Sequence, residues 1–179
     1  MESRPQSDTP RRFDAGQGPR IVGAGDGLTV DLGSVGVRFL VWGAESGGGF
    51  SLVEHPIPSR TLAAPLHRHA NEDEYSYVLE GRLGALLGED VVFANVGDLV
   101  FKPRQQWHTF WNAGDGPCRI LEIISPGGFE QVFAEMAADP EAMSGDSDAA
   151  EAMDRRYGIE ADYESIGWLC AEYDLVFPA

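Results

Sequence analysis

Basic residues, cysteine and histidine are all scarce in this chain. Lys and Arg number 13 against 29 Asp and Glu, a formal charge of -16. Such an acidic field disfavours nucleic acid and anionic membrane surfaces as partners. The two cysteines, Cys118 and Cys170, stand alone and form no Cys-x-x-Cys pair. Both are expected to be reduced and structural, Cys118 in a strand and Cys170 in a helix. No apolar run has the length of a membrane-spanning helix, and Met1-Glu2-Ser3-Arg4 does not open like a signal peptide, so a cytoplasmic protein is expected. No internal repeat is evident, and 179 residues suit one domain with a sizeable core.

Against this scarcity, three of the 4 histidines fall in two short segments. The first runs from Pro65 through His67, His69 and Glu74 to Gly81. The second runs from Gly97 through Pro103 and His108 to Asn112. Residues i and i+2 of a strand share a face, so His67 and His69 project together while Arg68 faces away. Parity breaks between His69 and Glu74, and a bulge near Ala70–Asp73 is expected to reset it. If the segments meet, His67, His69, His108 and Glu74 surround one divalent transition metal. Three neutral imidazoles and a carboxylate suit Fe, Mn, Ni, Cu, Co or Zn and match Ca or Mg poorly. Exposed strand histidines are the bland alternative. His55, without partner spacing, is assigned to a surface or strand end.

From Leu28 to about Ile124 the chain reads as short strands broken by turns. They are Leu28–Leu32, Val35–Trp42, Phe50–Pro56, Leu66–His69, Glu74–Leu79, Gly84–Leu87, Val91–Ala94, Asp98–Lys102, His108–Asn112 and Arg119–Ile124. This spacing points to an all-β, double-sheet jelly-roll barrel. After Pro126 the pattern changes. Phe129, Val132, Phe133 and Met136 recur with helical period, their apolar face directed at the barrel. Asp139 to Asp148 reads as an acidic loop. Asp148 then N-caps a helix ending at Gly158, with Glu151 completing a capping box. A further helix over Asp162–Glu172 turns Ile166, Leu169 and Cys170 inward.

The two histidine segments resemble the paired signature motifs of the cupin superfamily. His67, His69, Glu74 and Gly81 fit the first motif, and Gly97, Pro103, His108 and Asn112 fit the second. Thr61 and Gln105 stand where the family usually has glycine. Gln105 implies a somewhat different loop. The likeness in strand pattern runs from about Val35 to Pro126, and the doubled motifs of two-barrel members are missing. The resemblance implies a single cupin double-stranded β-helix over residues 21–126. Residues 1–20, rich in Pro, Gly, Arg and Ser, would form a disordered arm. Residues 127–179 would form a short helical extension packed on the barrel, similar to the tails of quercetin 2,3-dioxygenase-like cupins.

The inferred pocket is apolar and suits an aromatic or hydrophobic small molecule. Phe110, Val78, Gln106, Phe39 and Leu52 are its expected substrate contacts, with Ser76 and Asn112 also at inward positions. Trp107 and Trp111 share the opposite face of their strand, as core between the sheets or as dimer interface. Tyr75, Tyr77 and Leu79 form a second outward stripe that fits a homodimer. By resemblance, the expected activity is a quercetinase-like dioxygenase cleaving a flavonol or related enolic aromatic with dioxygen, Glu74 also taking the substrate proton. The same ligands serve a non-redox isomerase or cyclase acting on a carbonyl or polyketide substrate. A binding cupin without turnover is the third reading.

Overall fold

A computed structural model describes residues 19–143 and 147–178. The arm expected over residues 1–20 falls almost wholly outside the described residues, as does the centre of the acidic loop. The chain runs β1 (Thr29–Asp31), β2 (Gly36–Val41), β3 (Ser51–Ile57), β4 (Leu66–His69), β5 (Asp73–Glu80), β6 (Arg82–Leu87), β7 (Asp90–Asn95), β8 (Leu99–Lys102), β9 (His108–Asn112) and β10 (Cys118–Ser125). Then follow α1 (Gln131–Ala138), α2 (Asp148–Tyr157), β11 (Ile159–Asp162) and α3 (Ser165–Tyr173). All ten strands read from the sequence are present, with ends shifted by a residue or two. Among the described residues, no helix is long and apolar enough to cross a membrane.

The strands form two sheets, ordered β1-β2-β3-β10-β5-β8 and β11-β4-β9-β6-β7. Each strand turns alternate residues into the space between them. Val37, Phe39, Val53, Val78, Ile120 and Ile124 come from the first sheet and Leu83, Ala85 and Phe110 from the second. Phe129, Val132 and Met153 extend this core into the helical extension. A second core lies on the outer face of the five-stranded sheet, where Leu62, Leu86 and Trp111 meet Leu169 and Leu175. Trp111 is therefore core, but between a sheet and α3 rather than between the sheets. It stacks on Tyr173 at 4.7 Å. Trp107 is half-buried beneath the Arg68 guanidinium. Tyr75 and Tyr77 do face outward, paired across the sheet with Phe101 and Leu99.

Three expectations about local structure are corrected. No bulge resets the parity between His69 and Glu74, because β4 and β5 belong to different sheets. The chain crosses between them through residues 70–72, and each residue faces inward from its own sheet. Asp162, read as the start of the last helix, instead ends a strand, Ile159–Asp162, paired antiparallel to β4 with Ile159 opposite His69 and Ala161 opposite His67, and the helix begins at Ser165. The strand's four residues are too few to show a period. The N-cap of α2 is Ser147, not Asp148, its hydroxyl accepting from Ala150 N. Gly158 closes that helix in the left-handed conformation, as its sequence position implied. Cys118 and Cys170 are free thiols, on β10 and α3.

Candidate metal centre

β4 and β9 are neighbours, and His67 pairs directly with His108. His69 lies one pleat along β4. Glu74 approaches from β5 in the opposing sheet. One ligand atom from each of His67, His69, Glu74 and His108 falls within 4.8 Å of the other three. The four residues brought together are those read from the two motifs.

Hydrogen bonds at the far side of two rings orient them. Pro65 O lies 2.8 Å from His67 Nδ1, and Gln106 O lies 2.9 Å from His108 Nδ1. A carbonyl only accepts, so each Nδ1 carries the proton and each Nε2 keeps a lone pair for the cluster. His69 is held by packing, its ring edge-to-face with Phe129 at 4.4 Å. Burial, with His108 and His69 adding to it, pushes His67 well below the ordinary imidazole range. Burial likewise takes His69 down to about 4. Neutral imidazole is the ligating form. His69 Nε2 and His108 Nε2 are buried without a hydrogen-bond partner. Buried polar atoms are rarely left so, and a metal at the centre would satisfy both. The donor set and its geometry therefore fit a divalent transition metal.

Lys102, at the end of β8, is 1% exposed. Its Nζ lies 2.8 Å from Glu74 Oε2 and 3.2 Å from Glu122 Oε2, and 4.4 Å from the centre of the Phe110 ring. Burial opposes its charge, but Glu122 and Glu74 outweigh that and raise the ammonium above its usual range. Burial alone would raise Glu74. Lys102, His69 and His108 reverse this and hold the carboxyl well below the carboxylate range. Glu122 also accepts from Ser76 Oγ at 2.7 Å, and burial lifts it to about 7 against the pull of Lys102.

Sequence reading missed Lys102 and Glu122. Both were legible as polar residues at inward parity, Lys102 two after Val100 and Glu122 between Ile120 and Ile124. It also misplaced His55, which is 2% exposed, donates from Nδ1 to Gly36 O over 3.0 Å and lines the cavity beside the cluster.

That cavity, about 380 Å³, is walled by both sheets and the extension. Phe110, Ala63 and Val35 contribute from the barrel side. Phe129, Phe133 and Met136 come from α1 and its approach, Met153 from α2, and Ile166 and Phe177 from the C-terminal end. Of the expected substrate contacts, Phe110 alone lines it. Val78 and Phe39 are core residues behind the wall, Phe39 stacking on Trp42 at 4.3 Å. Gln106 lines a separate groove with Trp107 and Asp162. Leu52 has the outer parity of β3, opposite Ile123, while Val53 points inward. Asn112 locks a barrel end, its Nδ2 donating to Ile57 O and Pro58 O, each at 3.0 Å. Gln105 takes the left-handed backbone, φ 68°, so the loop keeps the conformation a glycine would favour. Its amide donates to His69 O at 2.8 Å, and its side chain donates to Ala70 O at 2.9 Å.

Two sheets closed around three imidazoles and a carboxylate define a cupin jelly roll. Residues 56–124 match the cupin domain model, in keeping with the two-sheet jelly-roll fold. An uncharacterized protein of Methanocaldococcus jannaschii, MJ1618, is 35% identical over 66 residues, covering 37% of this chain and 50% of that protein. The chain thus spans about half the length of that curated relative. KdgF from Halomonas sp. superposes with a TM-score of 0.55 at 12% identity, over 64% of this chain and 99% of its own. A variant of Streptomyces PAC13, solved with uridine, superposes with a TM-score of 0.51 at 14% identity, over 64% and 88%. At these identities the likeness concerns the fold alone.

Proposed function

We propose that this protein is a metal-dependent enzyme that binds an enolic aromatic, of flavonol type, and cleaves it with dioxygen. The observation that carries the reading is a cluster of three imidazoles and a carboxylate, able to hold a metal, opening on a cavity lined mainly by apolar and aromatic side chains. A pocket of this kind suits a flat hydrophobic molecule with one polar edge directed at the metal. His67, His69, His108 and Glu74 would hold the ion. When bound, such an ion supplies Lewis acidity and, if redox-active, a path for electrons between substrate and dioxygen. The chain's own contribution is orientation and exclusion of water. Phe110 and Phe129 wall the cavity beside the ligands. Lys102 fixes the Glu74 carboxylate.

A second reading, non-redox enolisation of a carbonyl substrate, is favoured by one observation: Glu122 places another carboxylate in the cavity wall. Elemental analysis of the purified protein followed by oxygen uptake separates the two. Stoichiometric Fe, Mn, Ni, Cu or Co with quercetin-dependent oxygen consumption supports the dioxygenase. Metal-loaded protein that consumes no oxygen with flavonols, but exchanges the α-proton of a carbonyl substrate, supports the second. A ligand that raises the melting temperature without any product would leave a binding protein.

A further inference from the structure

Beside the metal cluster lies a carboxylate that its ligation does not use. Glu122 sits on β10 opposite Ser76 of β5, while Glu74, two residues before Ser76, stands opposite Lys102 of β8. Lys102 bridges the two carboxylates at 2.8 Å and 3.2 Å. Glu74 faces the cluster: Oε1 lies 3.5 Å from His69 Nε2, and Oε2 lies 3.3 Å from His108 Nε2 and 2.8 Å from Lys102 Nζ, so a bound metal would claim its open side. Glu122 is engaged on one side only. Ser76 and Lys102 hold Oε2, while Oε1 is buried with no hydrogen-bond partner. The residue is 1% exposed and lines the cavity. An unpaired buried acceptor is costly and seldom left so, and this one faces the cavity rather than packed protein. A ligand hydroxyl in the cavity supplies the missing donor.

We propose that Glu122, rather than the metal ligand Glu74, accepts the proton of the substrate's enolic hydroxyl. In this step the substrate O–H bond breaks heterolytically and the proton forms a new O–H bond at Glu122 Oε1. The electron pair stays on the substrate oxygen as an enolate, and nothing is oxidised or reduced. Burial lifts Glu122 to about 7, which suits a group exchanging protons near neutrality. Ser76 and Lys102 are positioning residues that aim the carboxylate through its other oxygen.

This inference rests on the enolic-aromatic reading, so the test reads substrate binding and substrate ionisation separately. Full-length protein reloaded with metal is titrated with quercetin at pH 8, for wild type and Glu122→Gln, with metal content measured in both. Wild type is expected to bind quercetin as the anion, seen as a red-shifted absorption band. Glu122→Gln is expected to keep its metal but to bind quercetin about tenfold or more weakly, without the red shift. Should the variant fold poorly, wild type alone still decides. Infrared difference spectra with and without quercetin should show a new protonated-carboxyl band that moves with ¹³C-labelled glutamate. Anionic quercetin bound as tightly by Glu122→Gln, or bound by wild type without that band, would overturn the inference and leave the proposed function standing. Metal-loaded wild type that binds no quercetin would instead overturn the enolic-aromatic reading, and this inference with it.

Discussion

An ammonium group held away from water is tolerated only where anions surround it, and Lys102 has two. Its replacement by methionine keeps much of the volume but leaves Glu74 and Glu122 without their cation. We expect Lys102→Met to lose about 3–5 kcal/mol in urea unfolding of the metal-free protein. At the ligands themselves, His69→Ala or His108→Ala should abolish tight metal retention while circular dichroism still reports the β fold. Full metal occupancy in either variant would sink the site assignment. His55 carries a pH signature. Burial takes it from 6.5 down to about 4, so between those values the unfolded chain binds a proton that the folded chain does not. Its contribution is complete above pH 6.5 and is lost as pH falls toward 4. By linkage this amounts to about 3 kcal/mol. Glu122, raised from 4.5 to about 7, acts in the opposite direction, but it is present in both proteins compared. His55→Gln should therefore be less sensitive than wild type between pH 7 and pH 4.5, as measured by urea midpoints.

The elements that place the site are held by their neighbours rather than by their own length. β4 has only four residues, yet β9 pairs on one side and β11 on the other. Its histidines are thus fixed by a strand contributed from the C-terminal extension. α3 covers the reverse side of the same sheet through Leu169 and Tyr173, against Leu62, Leu86 and Trp111. Leu169→Ala should cost about 2–5 kcal/mol. Gly84 of β6 lies against the Trp111 indole, and an added Cβ would collide with that ring. Gly84→Ala should then destabilise by about 1–3 kcal/mol in the same assay. The ten barrel strands were legible because alternation and turn residues repeat along them. β11 was not, because it exists through pairing with β4 rather than through a pattern of its own.

For the whole molecule, a charge of -16 sets a background of self-repulsion. Ion pairs such as Arg104 with Asp73 and Arg119 with Glu54 offset part of it locally, and solvent weakens them where they are exposed. Screening the excess negative charge should raise the melting temperature of the metal-free protein between about 10 mM and 150 mM NaCl, where the Debye length falls from about 30 Å to about 8 Å. A melting temperature that falls over this range would show that the attractive pairs outweigh the repulsion. The extension is part of the cavity at this scale: α1, α2 and the C-terminal residues supply a wall that the barrel alone lacks.

By itself the sequence determined the barrel and the four candidate ligands, because both are written in short-range patterns. Alternation assigns faces, turn residues separate strands, and two histidine motifs carry their own spacing. Only the tertiary structure decided what surrounds the cluster. Lys102 and Glu122 show inward parity in the sequence, but that they and His55, from three different strands, meet beside the cluster follows from strand order, which no local pattern contains. Val78 and Phe39 lie behind the cavity wall for the same reason, whereas Leu52 lies on the outer face of β3. An inward position on one strand becomes core or cavity wall according to what the opposite sheet and the extension place in front of it.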